Sequence, residues 1–378
     1  MTRSHKIKLS IFVLLTICFT YLGLQKYKYP DRSELQLKIN YLSKFTNQSN
    51  LNQSDLSKLE EQNPEWNLFR YSFACFALTN ISFLDSSFKN QAVELIDLSI
   101  QKVMSDKFYK NYFSKDHPFT PNIDSSGSIL YLAHLNTMLG CYRLLSNNTK
   151  YNTFNDQLSK SIYSRFTTAK FKCLESYPGL IWIPDNTAAL ASLKLHSLNS
   201  GNNYEILFKD WIAYARKNWI DSKTGLLCST IHIENGAALE EPRGSMIGWS
   251  IFFIYRFDKA FAKELYECFK DKFSTNLLVL RIFKERYKNL ETNVGDIDSG
   301  PIFLGFSIPA NAFAFGNAVA FKDVRNAKRL QRLIKLGSKR IIKDQALSYQ
   351  SRFIDLPISP LAESLILYFE TMTDWTVN

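Results

Sequence analysis

Apolar positions along this chain alternate between two kinds of segment. Pro64 to Leu84 (P-E-W-N-L-F-R-Y-S-F-A-C-F-A-L…) is apolar on most faces, whereas Phe88 to Met104 after it keeps one polar face at helical spacing. The same couple recurs in Ser125–Leu145 with Asn155–Thr168, Asp185–Leu198 with Tyr204–Trp219, Ser245–Phe257 with Lys259–Phe273, and Ser307–Phe321 with Val324–Ile342. Pro360–Met372 closes the series without a downstream partner. First members begin near residues 64, 125, 185, 245, 307 and 360, a period of roughly 60 residues, longer than the common solenoid repeats of about 20 to 50. That period suits helical hairpins with one long connection each. An amphipathic segment, Ser33–Phe45 (S-E-L-Q-L-K-I-N-Y-L-S-K-F), is unpaired near the N-terminus and completes twelve helices across the termini. The pattern predicts an all-α fold, an α/α toroid of six helical hairpins, with inner helices buried nearly all round. Short β segments such as Gly225–Ile233 and Leu277–Tyr287 are expected to shape its rim.

Ahead of this body, Leu9 to Leu24 is an uncharged apolar run behind a leader carrying Arg3, Lys6 and Lys8. With Ile7 added and flanking lysines snorkelling, it reads as an N-terminal transmembrane helix. No A-x-A-like pattern follows it, and Ile17 precedes Cys18, so an uncleaved anchor is favoured over a cleaved signal. The basic bias puts the N-terminus in the cytoplasm and the body outside the cell membrane. The expected division is residues 1–30 as leader and anchor and 31–378 as one toroid domain, with a polar linker at about 46–58.

Composition limits the remaining possibilities. With 46% apolar and 14% aromatic residues, 378 residues can bury a large core. Of the formal charge of +11, five positive charges lie within residues 1–30, leaving +6 scattered over the body. That is an ordinary solvated surface and makes nucleic acid an unexpected partner. Five cysteines outside the apolar run, widely spaced and odd in number, argue against a disulfide framework. The five histidines are isolated, and no zinc signature, phosphate loop, dinucleotide fingerprint or nucleophile elbow occurs, so neither metal nor cofactor is expected.

Candidate chemistry gathers in the connections that enter the inner helices: N-I-D-S-S-G at 122–127, W-I-P-D-N at 182–186, E-E-P-R-G-S at 240–245, G-D-I-D-S-G-P at 295–301 and D-L-P-I-S-P at 355–360. A toroid brings all of them to one face, above converging helix N-termini that favour carboxylates and hydroxyl-rich ligands. Asp185 is either the N-cap of its helix or an acid or base beside Trp182. Asp296 and Asp298, two apart and on one side of an extended segment, are turn residues or site carboxylates. Arg243 pairs with Glu240 or Glu241, or binds an anionic group of a substrate. His134 is a core histidine or a catalytic one, and Glu363 caps the turn at Ser359 or faces the funnel.

The stretch A-H-L-N-T-M-L-G-C-Y-R-L-L (133–145), followed by C-L-E-S-Y-P-G-L-I-W-I-P-D-N (173–186), resembles the linalool dehydratase-isomerase-like branch of the six-hairpin toroids. The resemblance implies a central cavity lined by His134, Cys173 and Asp185. That family's chemistry is associated with cysteines in this loop, whereas here Asp185-Asn186 closes the motif. In architecture the chain also resembles the toroid enzymes that hydrolyse or cleave glycans with loop carboxylates and aromatic platforms. The leading expectation is acid–base catalysis on a hydroxylated substrate, a saccharide or other small molecule, by a glycan hydrolase or lyase. Asp185, Asp298 and Asp296 are its catalytic candidates, and Tyr177, Trp182, Asn186, Glu241, Arg243 and Glu363 its binding candidates. The alternatives are a hydro-lyase or isomerase using His134 and Cys173, and a non-catalytic binding or scaffold protein.

Overall fold

Six helices with little polar surface can hide it only against one another, and here they do so in a ring. The computed structural model describes residues 3–24, 26–47, 63–105, 108, 112, 127–277, 279–288, 295–296, 299–300 and 302–375. The inner helices are α3 (Pro64–Leu84), α5 (Ile129–Leu145), α7 (Ile183–Ser200), α9 (Gly244–Phe257), α11 (Ile308–Ala320) and α13 (Pro360–Glu370). Each packs on its neighbours in chain order, and α13 packs back on α3, closing the toroid. Outer helices α4 (Lys89–Val103), α6 (Asn152–Thr168), α8 (Glu205–Asn218), α10 (Lys259–Phe273) and α12 (Val324–Gly337) alternate with them, and α2 (Arg32–Asn47) backs the junction of α13 with α3.

Side-chain amides and an indole set the inner helices in parallel register. Asn136 Nδ2 donates to Ser192 Oγ at 3.0 Å, Trp249 Nε1 to the Pro184 carbonyl at 3.2 Å, Asn317 Nδ2 to the Gly248 carbonyl at 2.8 Å, and Asn80 Nδ2 to the Tyr368 carbonyl at 3.1 Å. These bonds satisfy polar groups that burial would otherwise penalise. Close approach also needs small residues at the contacts. A Cβ at Gly316 would lie 2.4 Å from the Phe369 ring, and one at Gly248 would lie 2.8 Å from Phe313 Cβ. The axis of the ring is filled by aromatics: Phe73 packs against Phe76, His134, Trp249, Phe253, Phe313 and Tyr368, with centroids 5.5–6.5 Å apart.

Three expectations need correction. The N-terminal segment is a helix, α1 (Arg3–Leu24), but among the described residues no helix is long and apolar enough to cross a membrane. Arg3, Lys6 and Lys8 occupy its first turns, and the uncharged run from Leu9 to Leu24 is shorter than the roughly 20 residues that a hydrocarbon core requires. The transmembrane helix, and the single-pass placement derived from it, are therefore withdrawn. The helix expected over Val324–Ile342 stops at Gly337. Ser338–Lys343 (β8) instead pairs with Ala346–Ser351 (β9) around Asp344 and Gln345, both at positive φ as a two-residue hairpin turn requires. Helix α7 starts at Ile183, before the expected Asp185, because Pro184 fits its first turn. The remaining strands are short: β1 (Ile181–Trp182), β2 (Thr230–Ile231) and β3 (Ala238–Glu240) form one sheet, while β4 (Ser274–Leu277) pairs with β5 (Leu280–Phe283) and β6 (Ile302–Phe303) with β7 (Phe306–Ser307). Most of the expected linker lies outside the described residues.

Charges are buried where the ends of the chain meet. Lys38 of α2 reaches Glu370 of α13, Glu34 at 3.3 Å and the Tyr349 hydroxyl at 3.3 Å. Burial opposes its charge, but Glu370 prevails and holds the ammonium above its ordinary pKa. Glu363, buried under β9, accepts the Tyr349 amide hydrogen, and desolvation pushes its carboxyl up to about 8. The folded protein therefore keeps a proton that the unfolded chain releases near the ordinary glutamate pKa. Stability should be fullest at acid pH and fall as pH rises toward 8, by at most about 1.4 kcal/mol per pH unit from this group. In urea titrations across that range, Glu363→Gln should flatten the slope; an unchanged slope would remove Glu363 as its source.

Candidate functional site

The parallel ring gathers six helix N-termini at one face, and three of them carry a carboxylate in the first turn: Glu65 on α3, Asp185 on α7 and Glu363 on α13, the last accepting from the Tyr349 amide. Asn63 caps α3 by accepting from the Glu65 and Trp66 amides, at 2.9 and 3.1 Å, which places Glu65 at the mouth of the ring. Phe69, one turn below Glu65 and on the same face, packs on Trp249 and His134 with centroids 5.0 and 4.9 Å away. Asp185 is buried in the first turn of α7, where the helix dipole favours a carboxylate. Trp182, whose side chain makes no capping hydrogen bond, is the N-cap of that helix.

Tyr177 bonds to Glu65 and feels the charge of Asp185. Its hydroxyl donates to Glu65 Oε1, and its loop is held by a turn at Gly179 (φ +78°), whose amide donates to Glu175 at 2.7 Å. Tyr112 donates to the Pro64 carbonyl at 2.7 Å and stacks obliquely on Tyr131, with centroids 5.0 Å apart. Burial raises the pKa of both phenols far above the ordinary value, and the charges of Glu65 and Asp185 add to that effect on each. Burial also holds Glu65 above the usual carboxylate range, although the bond from Tyr177 acts in the opposite sense. The arrangement is a carboxyl held above its ordinary pKa and two neutral phenols that feel the charges of both Glu65 and Asp185. Trp182, three residues before Asp185, is half-buried.

Other expected site residues have different surroundings. Arg243 is buried and donates from Nε to Glu285 at 3.0 Å and from Nη2 to Asp296 at 2.7 Å, with Glu240 3.8 Å away. Glu285 also accepts from the Ser245 amide at 3.1 Å and from the Ser245 and Ser307 hydroxyls, both at 2.7 Å, so this cluster ties α9 to the segment entering α11. Asp296 binds the Ser299 amide at 2.8 Å, and its pKa lies below the ordinary value: hydrogen bonds from Ser299 and Arg243 outweigh its desolvation. Asp298 lies outside the described residues. Glu241 is exposed, 3.7 Å from Lys223. Asn186 spends its side-chain amide on the chain itself, donating to the Leu174 and Trp182 carbonyls at 3.0 and 2.8 Å and accepting from the Leu174 amide at 2.7 Å. Glu363 belongs to the Lys38 cluster, and Ser359 caps α13 through its own hydroxyl.

His134 and Cys173 are not brought together. His134 sits among the axial aromatics, its Nδ1 2.7 Å from Ser72 Oγ, and desolvation lowers its pKa to about 3, so it is neutral. Cys173 instead neighbours Trp211 of outer helix α8, and Cys228; burial raises its pKa strongly, leaving a thiol that is a poor nucleophile. Among the described residues, no group of three or more His, Cys, Asp or Glu side chains is arranged to hold a metal ion.

Sequence reasoning missed Glu65 and Tyr112. Glu65 had a signal: Pro64-Glu65-Trp66 repeats, at the first inner helix, the proline, carboxylate and tryptophan found around Pro184. Tyr112, alone in a long connection, had none.

No family model matches the chain. Solved structures do share its architecture. The GH76A α-1,6-mannanase of Salegentibacter sp. HEL1_6 is 12% identical, with 90% of this chain and 98% of that one covered, at TM-score 0.51. A glycosyl hydrolase of family 88 from Bacteroides vulgatus is 10% identical over the same shares, at 0.50. Cellobiose 2-epimerase from Bacillus thermoamylovorans B4167 is 11% identical, with 80% and 87% covered, at 0.50. An inactive variant of the mannanase, with two adjacent aspartates replaced by asparagine, was solved with α-1,6-mannotriose bound. At these identities the likeness shows the fold, a six-hairpin toroid. A closest kinship with the linalool dehydratase-isomerase branch is not shown.

The Arg243 cluster predicts a stability effect. Glu285→Gln leaves the buried guanidinium short of a charge and should destabilise the fold by about 3 kcal/mol in urea unfolding. A loss below about 0.5 kcal/mol would contradict a structural role for the pair.

Proposed function

We propose that this protein is a glycan-acting enzyme, a hydrolase, with Glu65 as general acid and Asp185 as its carboxylate partner. The observation that carries the reading is a pair of carboxyls in the first turns of two inner helices, with Tyr177 hydrogen-bonded to Glu65 and subject to the charges of both. Glycoside hydrolysis needs one carboxyl that holds its proton, to protonate the departing glycosidic oxygen. It also needs a second carboxylate, to activate water or attack the anomeric carbon. The raised pKa of Glu65 suits the first role. Asp185, at the positive end of α7, suits the second. Trp182 offers a face on which a sugar ring stacks. The ring architecture shared with mannoside- and cellobiose-acting proteins supports a saccharide as substrate.

The test is turnover of a panel of oligosaccharides that includes α-1,6-linked mannosides and cellobiose. Glu65→Gln and Asp185→Asn should each lower kcat by about 10²- to 10⁴-fold with the melting temperature retained. On the native enzyme the alkaline limb of kcat/KM should follow deprotonation of Glu65, above the usual glutamate pKa, and be absent from Glu65→Gln. Turnover within a few-fold of native in both variants would overturn the assignment.

A further inference from the structure

The opposite face of the ring, where the inner helices end, holds a cavity of about 180 Å³. Its walls are largely apolar, with Leu195 and Leu198 of α7, Phe253 and Tyr255 of α9, and Trp375 after α13. Three cations line it, and their pairing differs. Lys194 is 2.6 Å from Glu205, and Lys259 is 2.8 Å from Asp374, so both are neutralised. Arg256 donates to the Thr373 carbonyl at 2.8 Å, to the Tyr368 hydroxyl at 3.1 Å and to Met372 Sδ at 3.0 Å, and its guanidinium lies 4.0 Å from the Trp375 ring centroid. All of those partners are uncharged. Its Nε has no hydrogen-bond partner, and among the described residues no carboxylate pairs with Arg256, the lining carboxylate of Asp374 being bound to Lys259.

We propose that this cavity is a second ligand site, for a small carboxylate with one ring-sized apolar body. Volume argues for the body: an apolar protein cavity of about 150 Å³ admits benzene, and this one is somewhat larger. Charge argues for the carboxylate, because a half-buried guanidinium whose partners are all uncharged gains most from an anion. The aromatic walls favour a flat ring. The proposal does not rest on the glycan reading, since none of the residues at the Glu65 mouth lines this cavity.

Calorimetric titration of the full chain with benzoate, benzyl alcohol and acetate tests it. Benzoate should bind at one site, at least tenfold more tightly than benzyl alcohol, which keeps the ring and lacks the charge, and than acetate, which keeps the charge and lacks the ring. Leu198→Trp, at an exposed wall position, should abolish binding by filling the mouth, and Arg256→Gln should weaken benzoate at least tenfold while leaving benzyl alcohol unchanged. If Arg256→Gln does not fold, Leu198→Trp decides alone. Absence of benzoate binding at millimolar concentration, equal binding of the neutral analogue, or undiminished binding to Leu198→Trp would overturn the proposal.

Discussion

Everything in this molecule depends on the closure of six nearly all-apolar helices into one parallel ring. A helix that is hydrophobic on most faces has no stable position at a surface, so each inner helix needs a neighbour on both sides. The last meets that need only by packing on the first. Closure explains why Lys38, Glu370 and Glu363 are buried: they lie where the two ends of the chain join, sheltered by α2 and the β8–β9 hairpin. It also explains the polarity of the ring. Parallel helices put every N-terminus on one face and every C-terminus on the other, so the two faces differ in chemistry.

At the N-terminal face, helix dipoles and desolvation act in opposite senses on carboxylates. The dipole favours the ionised form, and burial disfavours it. Glu65 is held above its ordinary pKa because burial is the largest contribution to its shift. Asp296 falls below it because Arg243 and Ser299 supply hydrogen bonds. The same residue types thus divide into a candidate acid and a structural anion by their partners alone. The filled axis confines chemistry to the mouth, since aromatic side chains occupy the centre around Phe73 and leave His134 neutral.

The ring was legible in the sequence because its cause is a pattern: a period of roughly 60 residues, with apolar and amphipathic helices alternating. Asp185 was legible as a site candidate for the same reason, at the entry of an inner helix. Arg243 was found, but its partner Glu285, 42 residues further on, sits in a rim segment where no local spacing announces the pair. The hairpin after α12 escaped because Asp344-Gln345 lacks the Asn-Gly signature of a tight turn and the helical periodicity runs on past Gly337. The N-terminal helix was recognised as a helix, yet its uncharged length was read too generously. Glu65 was hidden in plain view, since a carboxylate after a helix-opening proline is also what ordinary helix starts contain.

The central claim is that burial at the mouth of the ring makes Glu65 hold its proton, against the hydrogen bond from Tyr177. The most direct measurement is the carboxyl titration of Glu65 by carbon NMR, with the resonance assigned by its loss in Glu65→Gln. The account predicts a pKa above the usual glutamate value that rises further when Tyr177 is replaced by phenylalanine and its hydrogen bond is removed. An ordinary pKa, indifferent to that substitution, would contradict it.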